Sequence, residues 1–559
     1  MNTSLPVLTA AKMRLCDEHT IRELHIPSRT LMERAARAAV SCLLGRPSLF
    51  PQGSVLVLCG SGNNGGDGLA AARFLADGSQ GESRPVTVVY LGRLTPEGLP
   101  DTDRMSQECA RQYALVRQAG IPVLPPDRAT DALSGCSAVV DAVFGIGLDR
   151  PVEGAIGAFL RRVAETGRPV LAIDIPSGVY TDTGAVPGAA LSAEVTVTMQ
   201  ALKPGLLLYP GAALCGEVVV ADIGIDLSPV CHPASDPTID ANPADAPTAC
   251  LVGEDMLRVA LPPRSRRSHK GTYGRLALLC GSCGMAGAAI LSASAALRCG
   301  VGLAQVVTPA DNRVILQTAL PEAVLTLYDR ETPDPAALLA AVANPDGLVA
   351  GCGLGTGEAA CTVLRTMLSR KPPAPGEVPL PLVLDADALN LLAKYPDLWT
   401  CALLADPHRQ VVITPHPAEM ARLCGRAVGE ILADLPGTAL SFARSYGVVV
   451  VLKDAHTVIA SPDGQVWICA AGNAGMAKGG SGDVLAGVIG SLLVQNRYRL
   501  GLELSVGQVA AAGVLLHAIA GDRAAEVVGE YGLLASDTVA ALSAVTRSFS
   551  DSRTRIVQA

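Results

Sequence analysis

The sequence predicts two α/β domains, each a parallel sheet covered by helices on both faces. Three observations carry this. The chain has 559 residues, too many for a single core. Its hydrophobic content is 49% with only 3% aromatics, the Ala-, Gly-, Val- and Leu-rich make-up of layered parallel sheets. Short β-branched runs alternate with helical stretches, and several of the runs end in Gly-rich clusters.

In the first half, residues 9–24 read as an amphipathic helix capped by Thr9. A second helix is expected after Pro27, over 30–44. Residues 55–59 read as a strand, followed directly by GSGNNGGDG (Gly60 to Gly68) and a helix from Leu69. Further strands are expected over 86–91, 138–144, 170–175 and 194–199. Residues 228–250 contain a run of prolines and aspartates without apolar period, and read as a linker. This sets domains of 1–227 and 251–559. In the second domain, strands are expected over 275–280, 303–308, 347–351, 382–385, 411–414 and 448–453. A hairpin should turn at Pro462-Asp463-Gly464. The chain then reads as helical to near its end, with residues 550–559 loose.

The net charge is −8, and no basic block or basic–aromatic stripe is present, so no nucleic-acid partner is expected. No apolar stretch has membrane-spanning length, and the N-terminus has no signal-peptide pattern, so no membrane association is expected. Among the 16 cysteines, the one close pair is Cys280 and Cys283 in LLCGSCG. No second pair or nearby His completes a ligand set, so these read as structural thiols in a reduced, cytoplasmic setting.

Ligands of open parallel sheets bind outside the carboxyl ends of the strands. Three strands of the first domain end in polar or Gly-rich clusters: GSGNNGGDG, VVDAVFGIGLDRP and LAIDIPSG. They are expected to converge on one pocket carrying Asn63, Asn64, Asp67, Asp141, Asp174 and Ser177. Amide, hydroxyl and carboxylate oxygens without His suit a hard cation rather than zinc. GSGNNG matches G-x-G-x-x-G, but the next strand ends in Leu91-Gly92-Arg93, without the carboxylate a dinucleotide site needs for the ribose.

GNNGGDG, VDAVFGIG, DIPSG and the earlier LMERAA resemble the N-terminal domain of NAD(P)H-hydrate epimerases, over residues 9–226. The resemblance implies a Rossmann-like three-layer αβα fold and a hydrated nicotinamide cofactor as substrate. It implies substrate contacts from Asn63, Asn64, Gly65, Gly66 and Asp67, from Gly145, Ile146, Gly147, Leu148, Asp149, Arg150 and Pro151, and from Asp174. It implies a potassium ion on Asn64, Asp141 and Ser177. Asp174 is expected to be the catalytic acid/base.

The organising stretch of the second domain is NAGMAKGGSGDVLAG, Asn473 to Gly487. A Gly-rich loop feeding a helix start makes an anion site suited to a nucleotide phosphate, and Asp483 at the junction is placed to act as a general base. HKGTYG, GSCGMAGA, GCGLGTG, LDADALN, TPHPAEM and LKDAHTVI supply further polar clusters, most of them at strand ends. His416 sits between prolines in a rigid loop, where ligand contact and a structural role are both open. Lys453 ends a Val-rich strand, where a cation would meet a phosphate.

This set resembles ADP- or ATP-dependent NAD(P)H-hydrate dehydratases of the ribokinase-like superfamily, over residues 251–545. The resemblance implies a second three-layer αβα domain. The nucleotide would lie on Lys453, Asp454, Ala455, His456, Thr457 and Gly482, and the hydrate near Ala288, Gly353, His416 and Asp483. It implies a kinase-like mechanism. Asp483 deprotonates the C6 hydroxyl of the hydrate, the terminal phosphoryl of ADP is transferred with Mg²⁺ bridging the phosphates, and loss of phosphate restores NADH or NADPH. Two loop positions depart from the family: Cys352 stands where GPGLG is usual and Ala418 where HPGE is usual.

The whole chain therefore reads as an enzyme that epimerises R and S hydrates and dehydrates the S form with ADP. The alternatives are a vitamin-precursor kinase of the same superfamily and a cofactor-binding regulator with one dead domain. A homo-oligomer is expected, with Ala- and Gly-rich helices such as 505–521 packing between subunits.

Overall fold

The computed structural model describes residues 5–231, 249–342, 344–370, 380–404, 410–497 and 504–550. Most of the expected linker, residues 232–248, and the tail 551–559 lie outside the described residues. The described chain divides into two compact units, one within residues 5–231 and one within residues 249–550.

The sheet of the first unit contains β1 (Val55–Cys59), β2 (Val86–Tyr90), β3 (Val123–Leu124), β4 (Ala138–Ala142), β5 (Val170–Ile173), β6 (Val195–Met199) and β7 (Glu217–Ala221). Their order is β3-β2-β1-β4-β5-β6-β7, with every neighbouring pair parallel. Side chains alternate between two cores, because successive strand residues point to opposite faces. Val55, Val57, Cys59, Val140 and Leu171 pack beneath the helices Ser28–Leu44, Asn63–Asp77 and Gln107–Gln118. Leu56, Leu58, Val139 and Ala172 pack on the helix Gly154–Glu165 through Phe159, Leu160 and Val163. This is a three-layer αβα unit. Its strand order reverses between β1 and β4, which opens a crevice at their carboxyl ends.

The helix after β1 begins at Asn63 rather than at Leu69. GSGNNGGDG is therefore mostly helix, not loop. Its glycines serve close approach: a Cβ on Gly65 would lie 2.0 Å from the Gly60 carbonyl oxygen, and one on Gly68 would lie 2.5 Å from the Ala142 Cβ.

The second unit continues with β8 (Ala249–Leu251), β9 (Arg275–Leu279), β10 (Leu303–Pro309), β11 (Val324–Tyr328), β12 (Gly347–Ala350), β13 (Leu382–Leu384), β14 (Val411–Ile413), β15 (Val449–Leu452), β16 (Thr457–Ala460) and β17 (Val466–Cys469). From β8 the order is β8-β17-β16-β15-β14-β13-β12-β9-β10-β11. The run from β15 to β11 is parallel, and β16 pairs antiparallel with both β15 and β17 around the expected hairpin. The sequence did not mark β3, β7, β8 or β11. These are short or half-exposed strands, without the continuous buried runs of the central ones.

Helices Ala286–Arg298, Ser481–Arg497, Val506–Gly532 and Ala535–Ser550 cover one face of this sheet. Most residues of Val506–Gly532 between Gly507 and Gly521 are buried within this unit. Its small-residue face is thus spent on the chain's own core, and not held free for a second subunit. Small residues also bring Ser481–Arg497 against Ala286–Arg298: a Cβ on Gly487 would lie 2.1 Å from the Ser292 carbonyl oxygen. Gly487→Ala is expected to cost about 2 kcal/mol or more by overpacking, read as a lower urea midpoint at unchanged slope.

Candidate active sites

In the first unit, the carboxyl ends of β1, β4, β5 and β6 border a cavity of about 530 Å³. Asn63, Asn64 and Asp67 reach it from the first turns of Asn63–Asp77. Gly145, Ile146, Gly147 and Leu148 reach it from the loop after β4, and Asp174 from the end of β5. Gly65 and Gly66 are buried in the helix backbone behind it. Asp149, Arg150 and Pro151 are exposed and do not line it.

Asp174 holds φ +69, a left-handed conformation that costs a non-glycine residue free energy and often marks a functional position. Its Oδ1 accepts a hydrogen bond from Lys203 Nζ at 2.6 Å. Lys203 is fully buried, and its ammonium also donates to Thr198 Oγ1 at 2.8 Å and to the Met199 carbonyl at 2.9 Å. The sequence reading missed Lys203. Its signal was a lysine four residues beyond the strand expected over 194–199, the fourth to end at the cavity. Arg14 and Asp17, from the helix Ala10–Arg22, also line the cavity and were not anticipated.

Burial pushes the Asp67 carboxyl far above the ordinary carboxylate range, and the charges of Asp174 and Asp17 add to it. Proton binding is thus favoured at one carboxyl of the site, while its neighbour Asp174 is ion-paired. Asp141, on β4, is fully buried. It accepts from the Ser177 backbone N–H at 2.7 Å and from the Ser177 hydroxyl at 2.6 Å. The Ser177 hydroxyl in turn accepts from the Phe144 N–H at 3.0 Å. The neighbouring Gly145 packs against Asn64, with 3.2 Å between its would-be Cβ and the Asn64 Cβ. Both polar atoms of the Asn64 amide are buried without a hydrogen-bond partner. A buried amide left unpaired is costly unless a ligand satisfies it.

In the second unit, the residues gather around Asp483, in the first turn of Ser481–Arg497. Lys453 follows β15, and its Nζ donates to Asp385 Oδ1 at 2.7 Å. Burial disfavours the charge on Lys453, yet Asp385 and Glu419 outweigh it and raise its pKa. Gly482 is packed on this pair: a Cβ there would lie 3.4 Å from both Lys453 Nζ and Asp385 Oδ2. Ala386, between Asp385 and Asp387, is strained at φ +48. Asp387 Oδ2 accepts from the Gly355 N–H at 2.7 Å.

Burial, with the charge of Asp385, raises the Asp483 carboxyl to about 6. The Cys352 thiol, which donates to it, and Lys453 oppose the shift. A hydrogen bond to Cys280 and burial push the Cys352 thiol far above its ordinary range. Behind the loop, His517 lies 3.4 Å from Ser481 Oγ, and burial and Lys453 lower its pKa to about 4.

Gly353 and Ala288 are brought together, with 2.8 Å between the would-be Cβ of Gly353 and the Ala288 Cβ. Asp454, Ala455 and His456 form the turn from β15 to β16, and Thr457 opens β16. His416 has a structural role: it is the N-cap of Pro417–Cys424, its Nδ1 accepting from the N–H groups of Ala418 and Glu419. Ala418 fits that first turn, so its departure from the usual glycine leaves the cap intact. Cys352, Asp385 and Asp483 form a compact group of possible metal ligands, which the sequence did not reveal because the three lie far apart in the chain.

Residues 28–205 match the family model described as YjeF-related protein N-terminus, and residues 276–543 match that of NAD(P)H-hydrate dehydratase. The chain is 36% identical over 564 residues to the bifunctional NAD(P)H-hydrate repair enzyme Nnr of Moorella thermoacetica, covering 99% of each. The chain belongs to the bifunctional NAD(P)H-hydrate repair enzymes. It is 34% identical to the Escherichia coli relative of the same name, over 92% of this chain and 90% of that one. Among solved structures, the ADP/ATP-dependent NAD(P)H-hydrate dehydratase of Bacillus subtilis is 30% identical, with a TM-score of 0.45, covering 54% of this chain and 98% of that one. Membership bears out the joining of an epimerase-type to a dehydratase-type domain and disfavours the vitamin-precursor kinase. Among the described residues, no helix is long and apolar enough to cross a membrane.

Removing one partner of a buried ion pair leaves an uncompensated charge. Lys203→Met is therefore expected to destabilise the protein by about 3–5 kcal/mol. A double-mutant cycle with Asp174→Asn, followed by urea unfolding, should recover part of that loss.

Proposed function

We propose that residues 1–227 interconvert the R and S hydrates of NADH and NADPH, and that residues 251–559 dehydrate the S form with ADP, releasing AMP and phosphate. The observation that carries this reading is Asp483. Its carboxylate has a raised pKa, sits at a helix start and lies one residue beyond Gly482, which packs on Lys453. A general base beside a phosphate-binding helix terminus is what phosphoryl transfer to a hydroxyl requires.

In the dehydratase site, Lys453 to Thr457 and Gly482 hold the nucleotide, and Ala288 and Gly353 shape the wall for the hydrate. His416 caps its helix through Nδ1, its Nε2 lies 3.5 Å from Glu419 Oε1, and its half-exposed ring borders the hydrate. Asp483 takes the proton of the hydrate's C6 hydroxyl as the terminal phosphoryl arrives. The N–H groups of the loop and helix start stabilise the developing charge. Mg²⁺ bound with the nucleotide would supply charge neutralisation for the phosphates.

In the epimerase site, Asp174 is the acid/base at the hydrated carbon and Lys203 fixes its carboxylate. Asp67, whose pKa is raised by burial, is placed to donate to the departing hydroxyl. Asn64, Asp141 and Ser177 fit potassium. The unpartnered Asn64 amide, a buried carboxylate and a hydroxyl make an oxygen donor set for a hard cation. When bound, the ion contributes positive charge near the substrate. The free thiols of the chain fit a cytoplasmic setting. A homo-oligomer is part of the reading, through surfaces other than the buried face of Val506–Gly532.

The test follows near-ultraviolet absorbance of reduced nicotinamide in a mixture of R and S hydrates, with ADP, ATP or neither. Full recovery with ADP is expected. Recovery that stops when the S form is gone would overturn the epimerase assignment, and no recovery with either nucleotide would overturn the dehydratase. Asp483→Asn should slow dehydration about 10²–10⁴-fold and leave epimerisation intact. Asp174→Asn should do the reverse. Because Asp483 must be ionised to act as base, dehydration should fall as pH drops through about 6.

A further inference from the structure

We propose that Cys352, Asp385 and Asp483 form a binding site for a thiophilic divalent cation, such as Zn²⁺, that blocks the dehydratase centre. Ligand atoms of Cys352, Asp385 and Asp483 all lie within 4.8 Å of one another. Cys352 and Cys280 are fully buried and Asp385 is 1% exposed, so the cluster is part of the interior and not a surface accumulation of acids. Cys352 supplies the sulfur of the group, and Asp385 and Asp483 its oxygens.

The backbone holds these residues in place. Cys280 and Cys352 follow the adjacent parallel strands β9 and β12, whose register pairs Leu279 with Ala350. The Gly281 N–H donates to the Cys352 carbonyl at 2.8 Å, tying the two loops together. Asp385 is fixed on its other side by Lys453, which occupies Oδ1 and leaves Oδ2 on the side of Gly482. Asp483 provides the access route, since it is the partly exposed member.

The charges facing this point are unbalanced. Asp385, Asp387, Asp483 and Glu419 contribute negative charge, and Lys453 opposes them. His517 is buried in the same region, with a pKa of about 4 that leaves it neutral. A divalent cation would offset that excess. Binding replaces the thiol proton of Cys352 by a metal–sulfur bond and releases that proton to solvent, with no change of oxidation state. One sulfur and two carboxylate oxygens, with a water as fourth ligand, make a tetrahedral donor set for zinc, with bonds of about 2.3 Å to sulfur and about 2.0–2.2 Å to oxygen. Thiolate ligation disfavours magnesium, which prefers oxygen donors. A cation held here occupies the carboxylate of Asp483 and removes its basicity.

The probe is Co²⁺ titrated into the full chain, anaerobically and with a phosphine reductant, with no nucleotide or hydrate present. The expected result is one equivalent bound with a thiolate-to-cobalt charge-transfer band, displaced by Zn²⁺. Cys352→Ser should lose the band and weaken binding at least about tenfold. Cys352→Ala serves if the serine variant does not fold. Cys283→Ser, at an exposed cysteine, should leave the spectrum unchanged. In the wild type, Zn²⁺ should inhibit dehydration and spare epimerisation. No charge-transfer band in the wild type, or a band that persists without Cys352, overturns the proposal. The spectral readout needs no catalysis, so its failure is distinct from a failure of the dehydratase assignment.

Discussion

A lysine ammonium pinned to an aspartate at the carboxyl edge of a parallel sheet recurs in both units. Lys203 meets Asp174 at 2.6 Å and Lys453 meets Asp385 at 2.7 Å. Burying either charge alone would cost several kcal/mol, so each is retained only with its partner in place. The pairs fix their carboxylates in direction and in charge. The remaining groups of each site are arranged around that fixed point: Asn64 and Asp67 beside one pair, Gly482 and Asp483 beside the other.

Sheet topology explains why the fixed points lie where they do. In the first unit the strand order reverses between β1 and β4, and the loops after those strands diverge to leave room for a ligand. In the second, the parallel run from β15 to β11 brings the ends of β9, β12, β13 and β15 to one edge. Two of the non-glycine residues held at left-handed φ, Asp174 and Ala386, lie at these edges. Each strained residue is, or directly adjoins, a carboxylate of its site, which fits the use of backbone strain to aim a functional group.

Environment then divides the labour among chemically similar groups. Asp67 and Asp174 are both aspartates facing one cavity. Burial and like-charged neighbours raise the pKa of the first, while Lys203 pairs with the second. Asp385 and Asp483 divide in the same way: Lys453 claims Asp385, and Asp483 is left with a raised pKa and a free role as base. Two carboxyl groups with separated proton affinities are the usual means by which one site handles both ends of a proton transfer.

The sequence by itself determined the two α/β units, the central strands and the Gly-rich clusters at their ends. Those features follow from local pattern: buried parallel strands need continuous apolar runs, and close backbone approach needs glycine. GNNGGDG, LDADALN and GGSGD were legible for that reason, although the helical state of Asn63 to Gly68 was not, since glycine reads as loop until the strand it packs on is known. Edge strands such as Glu217–Ala221 were missed because a half-exposed strand has no continuous apolar signal. Only the tertiary structure paired Lys203 with Asp174, gave His416 to a helix cap and set Cys352 against Asp483. Those contacts join residues from separate strands and loops, and their proton affinities depend on burial, which no spacing in the chain encodes.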